Sequence, residues 1–120
     1  MLSVGITLNP ASIAAGASLS GPVSLGALTL VGISMPAVWT TAPLTFQVSP
    51  DGVTWQELYD GAGNEVTITA AAGQFIIPLA DPSYLWRGIN MAQVRSGTVG
   101  SPVNQVAAVV VNIVTRSEML

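Results

Sequence analysis

What most constrains this chain is its punctuation. Short runs of β-branched and aromatic residues are cut by Gly, Pro, Asn or Asp about every ten residues along its length. An amphipathic helix needs an apolar residue every third or fourth position over three turns, and no stretch between these breaks supplies one. The expectation is therefore an all-β, antiparallel β-sandwich, jelly-roll-like, with about eight strands. They are placed at Val4 to Leu8, Leu28 to Met35, Leu44 to Ser49, Thr54 to Tyr59, Glu65 to Thr69, Gln74 to Leu79, Ile89 to Arg95 and Gln105 to Thr115. A chain of 120 residues fits one domain.

Alternation assigns the faces. In LTFQVS, Leu44, Phe46 and Val48 point one way and Thr45, Gln47 and Ser49 the other, as a strand with one wet face requires. QVAAVVVNIV differs: Val109, Val111 and Ile113 lie on one side, and Val106, Ala108, Val110 and Val114 on the other. A strand apolar on both faces lies mid-sheet under cover, and in a small sandwich the second cover is either another subunit or a long loop.

The turns are legible too. SPDG, residues 49 to 52, reads as a reverse turn joining two strands into a hairpin, and DGAGN, residues 60 to 64, as a second. No charge precedes Asp51. Residues 1–27 are rich in Ala, Ser and Gly and read as an N-terminal arm or edge strand ordered by neighbours, with 28–120 as the sandwich proper.

Composition narrows the function. Half the residues are hydrophobic and 8% are charged, with a mean hydropathy of +0.61. Soluble domains carry about 25% charged residues, so much of this surface is expected to be covered by neighbours. The apolar stretch LGALTLVGISMPAVW is broken by Gly26, Gly32, Ser34 and Pro36, which argues against a spanning helix and hence a membrane partner. MLSVGITLNP has no positive region of a secretory signal, so a chain made and used inside a cell, or released by another route, is expected. Net charge is −3, with Arg87, Arg95 and Arg116 as the only cations, which speaks against nucleic acid.

Catalysis finds little footing. The chain has no histidine, cysteine or lysine, which removes the usual activated nucleophiles and zinc sites. Asp51, Glu57, Asp60 and Glu65 are close in sequence, but Asp51 and Asp60 precede glycine in turns, where Asp serves its own backbone. Asp60, Asn64 and Glu65 offer hard oxygens for calcium without matching a known loop pattern. The expectation is no enzyme, no metal and no cofactor. Candidate partner-facing residues are Trp39, in the proline-flanked loop MPAVWTTAP and the most exposed tryptophan on this reading, Trp86, Arg95 and the second-face valines Val110 and Val114. Arg95 reads as a partner-facing hydrogen-bonding group or the solvated end of a sheet.

Two segments, GASLSGPVSLGALTLVGISMPAVWTTAPLTFQVSPDGVTWQELYD and AQVRSGTVGSPVNQ, together resemble a group of small virion-associated proteins of tailed bacteriophages. There a strand reading LVGI-MP leads through a Trp-containing loop to LTFQ-S-DG, and later to VRSGT and PVNQ. The resemblance implies a structural virion protein, most simply a capsid decoration, or cement, protein. It would be assembled in the host cytoplasm and seated on the capsid surface, with the major capsid protein and itself, as a homotrimer or other small oligomer, for partners. Leu44 to Tyr59 is also similar to the S-DG-W hairpin of discoidin-like jelly rolls. That supports an alternative, a glycan-binding module of a tail or fibre with Trp39 and Trp86 as stacking platforms.

Overall fold

The first half of the chain pairs with the second half. The computed structural model describes residues 4–26, 29–77 and 89–118. Its strands are β1 (Val4–Ile13), β2 (Val23–Ser24), β3 (Thr29–Ser34), β4 (Leu44–Ser49), β5 (Gln56–Glu57), β6 (Phe75–Ile76), β7 (Met91–Ser96) and β8 (Val109–Glu118). Each early strand meets its counterpart counted from the other end: β1 with β8, β2 with β7, β3 with β6 and β4 with β5, all antiparallel. This ribbon rolls up because β8 also pairs with β3, and β7 with β4. Two four-stranded sheets result, ordered β1-β8-β3-β6 and β2-β7-β4-β5. That is the strand order of a jelly roll, and the described residues contain no helix.

The core lies between the sheets. Ala11, Ile33, Val111 and Ile113 from the first sheet meet Leu44, Phe46, Ala92 and Val94 from the second, all 0% exposed. They are the inward set of each alternation, as a two-layer sandwich demands. The uncharged N-terminal stretch joins this core. β1 runs along the edge of the first sheet, matched to β8 at every position from Val4 to Ile13, and Ala11, Ile13, Val23 and Leu25 are buried.

Strand boundaries differ from the sequence expectation where a backbone finds another partner. The hairpin at SPDG forms, with Asp51 Oδ1 accepting the Val53 and Thr54 N–H groups at 2.8 Å, yet its second strand is ordered only at Gln56–Glu57. Residues 65–69 were expected as a full strand but touch only through bridges, Tyr59 to Glu65 and Leu44 to Ile68. β5 already occupies the edge of β4 at Gln47 and Val48, so little edge remains. β8 begins at Val109 rather than Gln105, because residue 105 is drawn into a loop. Of the segment expected at Gln74 to Leu79, Pro78 and Leu79 lie outside the described residues.

Gln105 knots three loops together and is 1% exposed. Its Oε1 accepts the Thr40 N–H at 2.8 Å, while its Nε2 donates to the Thr40 carbonyl at 2.9 Å and to Ser96 Oγ at 2.7 Å. Its backbone closes on the first loop, accepting from Gly16 at 2.7 Å and donating to Ala17 at 2.9 Å. The amide is thereby satisfied at every atom, the condition for burying it. The β7–β8 loop must turn tightly to bring it there. Gly97 sits at φ +92, and a Cβ on it would lie 2.5 Å from the Ser101 carbonyl oxygen and 2.7 Å from the Val103 nitrogen, so only glycine fits.

Gln105→Leu keeps the volume but orphans the Thr40 N–H and C=O and the Ser96 hydroxyl. At roughly 1 to 3 kcal/mol for a buried unsatisfied group, the variant is expected to lose about 3 kcal/mol, read as a lowered urea midpoint at unchanged slope.

Candidate functional site

Outside the core, the two sheets present opposite chemistry. On the second sheet the outward residues include Thr45 and Gln47 of β4, Glu57 of β5, and Gln93 and Arg95 of β7, placed side by side by the pairs Thr45 to Arg95, Gln47 to Gln93 and Gln47 to Glu57. These are polar, as are Ser24 and Ser49 further along the same side, where Met91 is the apolar exception. The segment from Leu58 to Ile68 runs along the edge of β4, bonding to it at Phe46 and Leu44, and its Glu65 reaches Arg95. On this face Thr45 is 0% and Arg95 6% exposed.

Arg95 is therefore neither partner-facing nor solvated, as the sequence suggested it would be. Its guanidinium forks onto Glu57, Nη1 to Oε2 at 2.7 Å and Nη2 to Oε1 at 2.8 Å, and Nη1 lies 3.5 Å from Glu65 Oε2. Gln47 Nε2 donates to Glu57 Oε1 at 2.8 Å, and Glu65 accepts the Val99 N–H at 3.1 Å. The Arg95 hydrogen bonds hold the Glu57 carboxyl below its usual range against the opposing effect of burial, with Gln47 adding to them. The same pair holds Arg95 more firmly charged. This is an internal brace. It consumes two of the carboxylates considered for catalysis.

The other two carboxylates serve turns. Asp60 Oδ1 accepts the Ala62 and Asn64 N–H groups at 2.9 and 3.0 Å, and Asp51 is held below the usual carboxylate range by the Thr54 and Val53 amides. Asp60 and Glu65 are thus directed to different partners. Among the described residues no group of three or more acidic, Cys or His side chains is placed to hold a metal ion.

The outward side of the first sheet carries several large exposed apolar side chains, interspersed with Ser12, Ser34, Asn112 and Arg116. By alternation with the buried positions it presents Ile6, Leu8 and Pro10 of β1, Val110, Asn112, Val114 and Arg116 of β8, Gly32 and Ser34 of β3, and Phe75 with Ile77 beside it. Ile6 is 63%, Leu8 59%, Phe75 58% and Ile77 70% exposed. Phe75 leans across Gly32: a Cβ there would come within 2.6 Å of its ring, so the glycine is the seat of the aromatic. Monomers rarely leave this many large apolar side chains exposed on one sheet face, which makes this face the candidate interaction surface.

The five residues singled out from sequence separate. Val110 belongs to this face at 41% exposure, whereas Val114 beside it is 4% exposed within its own chain and offers a partner little surface. Arg95 lies on the opposite sheet. Trp39 is part-buried against the core, and its indole N–H donates to the Ala42 carbonyl at 3.1 Å, so it is an anchor of the β3–β4 loop rather than an exposed platform. Trp86 lies outside the described residues. Val106 and Ala108, read as strand positions, are exposed in the loop before β8. The residues missed are Ile6, Leu8, Phe75 and Ile77. The period-two pattern of GITLNPASI contained Ile6 and Leu8, but nothing local distinguishes an exposed apolar set from a buried one.

Comparison with known proteins adds no identification: no family model matches this chain, and neither a curated protein nor a solved structure matches it.

The brace makes stability acid-sensitive in a defined sense. A carboxyl whose folded pKa is depressed contributes stability above its unfolded pKa and loses it as pH falls through the folded one. Glu57→Gln removes that contribution, so the stability difference between wild type and variant is expected to be largest near neutrality. It should shrink progressively below the ordinary glutamate range, measured by urea unfolding across pH.

Proposed function

We propose that this protein is a non-enzymatic structural component of a tailed-phage virion, a capsid decoration protein that binds the major capsid lattice and associates with copies of itself. The observation that carries the reading is the outward apolar face of the first sheet, formed by Ile6, Leu8, Val110, Phe75 and Ile77. Interfaces that persist are apolar at their centres and depleted in Lys, Glu and Asp, which is the chemistry of this face. The charge pattern agrees. Arg95 is engaged by Glu57 and Glu65 within the fold, so this cation is committed to an internal contact. The resemblance of GASLSG…ELYD and AQVRSGTVGSPVNQ to virion proteins supplies the biological setting.

The jelly roll itself is neutral between readings, because viral capsid proteins and lectins both use it. A glycan-binding module is less supported, since the Trp39 indole is packed and its N–H engaged within the chain.

Two measurements test this. Mass spectrometry of purified virions should find the protein at hundreds of copies per particle; a handful would move it to the tail or neck, and its absence from particles would end the proposal. Titration with host polysaccharide should leave tryptophan fluorescence unchanged up to about millimolar sugar, the weak end of specific affinity.

A further inference from the structure

β1 is the edge of its sheet and is paired on one side only. Two observations tell which of its backbone groups face the open side. The Ser12 carbonyl accepts the Gly21 N–H at 3.3 Å, away from β8, and in an antiparallel strand alternate residues direct their groups the same way. Pro10, two residues earlier, then has its missing N–H on the open side, where an edge proline takes nothing from the ladder. The N–H and C=O groups of Ile6 and Leu8 and the C=O of Pro10 therefore point outward. Among the described residues no backbone hydrogen bond reaches them, and Gly5, Ile6, Thr7, Leu8 and Pro10 are all exposed.

Natural edge strands are blunted by Lys, by bulges or by cover. Val4–Ile13 carries no charge, so two copies can lie side by side with no like charges opposed. We infer that β1 pairs antiparallel with β1 of a second copy of this chain, about a two-fold axis at Thr7.

Proline sets the register. With the axis at Thr7, Ile6 and the partner's Leu8 exchange both hydrogen bonds, as do Leu8 and the partner's Ile6, and each Pro10 carbonyl accepts the N–H of the facing Val4. An axis at Leu8 would place Pro10 opposite Ile6 and leave the Ile6 carbonyl without a donor. An axis at Ile6 would shorten the overlap within the strand. The Thr7 register is the longest that satisfies both groups of Ile6 and Leu8, and it stacks Ile6 on the partner's Leu8. It also joins the two outward apolar faces into one continuous surface. The contact is isologous, the commonest kind in soluble oligomers. This inference rests on the self-association part of the reading above and not on the capsid.

A strand edge this short buries less than the roughly 800 Å² per partner of a standard interface, so the mass must be followed with concentration. Light scattering from about 5 to about 200 µM is expected to show a shift from monomer to dimer. Leu8→Lys, at an exposed position that leaves the fold intact by circular dichroism, is expected to raise the dissociation constant at least about tenfold, by setting each cation against the partner's Ile6 and diagonally across from the other copy's cation. The chain has no cysteine, so Thr7→Cys supplies a single thiol. Across the axis it faces itself as a non-hydrogen-bonded pair, with Cα atoms about 4.5 Å apart, within disulfide reach. Mild oxidation should yield the covalent dimer. A wild-type protein that remains monomeric at the highest concentration, that forms a trimer, or that cross-links faster through Ile6→Cys or Leu8→Cys than through Thr7→Cys overturns the inference. A monomer that still co-sediments with capsids would overturn it while leaving the decoration reading in place, whereas a Thr7-linked dimer that ignores capsids would uphold it and remove that reading.

Discussion

Everything in this fold depends on the ladder between β1 and β8, in which Val4 lies opposite Glu118 and Ile13 opposite Val109. Without it β8 has no neighbour on that side, and the inward row Ala11, Val111 and Ile113 loses its continuity. Because each outer pair encloses the inner ones, the contacts that define the structure are almost all distant in sequence. Loop-closure entropy must be met before such contacts contribute, so folding is expected to be slow for a chain of this size. The innermost hairpin, β4–β5, is the one element that sequence proximity favours from the start.

The sequence was most informative where local chemistry decides the outcome. Leu44, Phe46 and Val48 alternate with polar neighbours and are buried as that period requires, although Thr45 and Ser49 on the face expected to be wet are buried as well, and Asp51 with Gly52 makes the turn that their types favour. It was least informative where a distant segment decides. Arg95 occupies an outward strand position, and nothing near it announces that Glu57 of β5 and Glu65 of the segment after it, some thirty to forty positions away in the chain, will converge on it. Gln105 is the same case: a polar residue before an apolar run looks like the start of a strand until Thr40 and Ser96 arrive to satisfy its amide. Val114 was legible as apolar on a second face, but not its near-complete burial within a single chain.

The two outer faces divide the labour of a small surface-poor domain. One sheet spends its few ions on an internal brace, and the other leaves an aromatic and several aliphatic side chains in the open. A glycine at position 32 lets Phe75 settle against the backbone rather than wave in solvent. A side chain held in place before contact loses less freedom when contact is made, so this face is suited to binding without reorganisation. Fold alone would not say what it binds, which is why the surface carries the functional reading.

The knot at Gln105 is built wholly from neutral groups: an amide, two hydroxyl-bearing residues and backbone. Dissolved ions weaken attractions between exposed charges within a few ångströms and leave hidden dipoles almost untouched. The three loops it ties should therefore keep their shape from dilute buffer to strong brine.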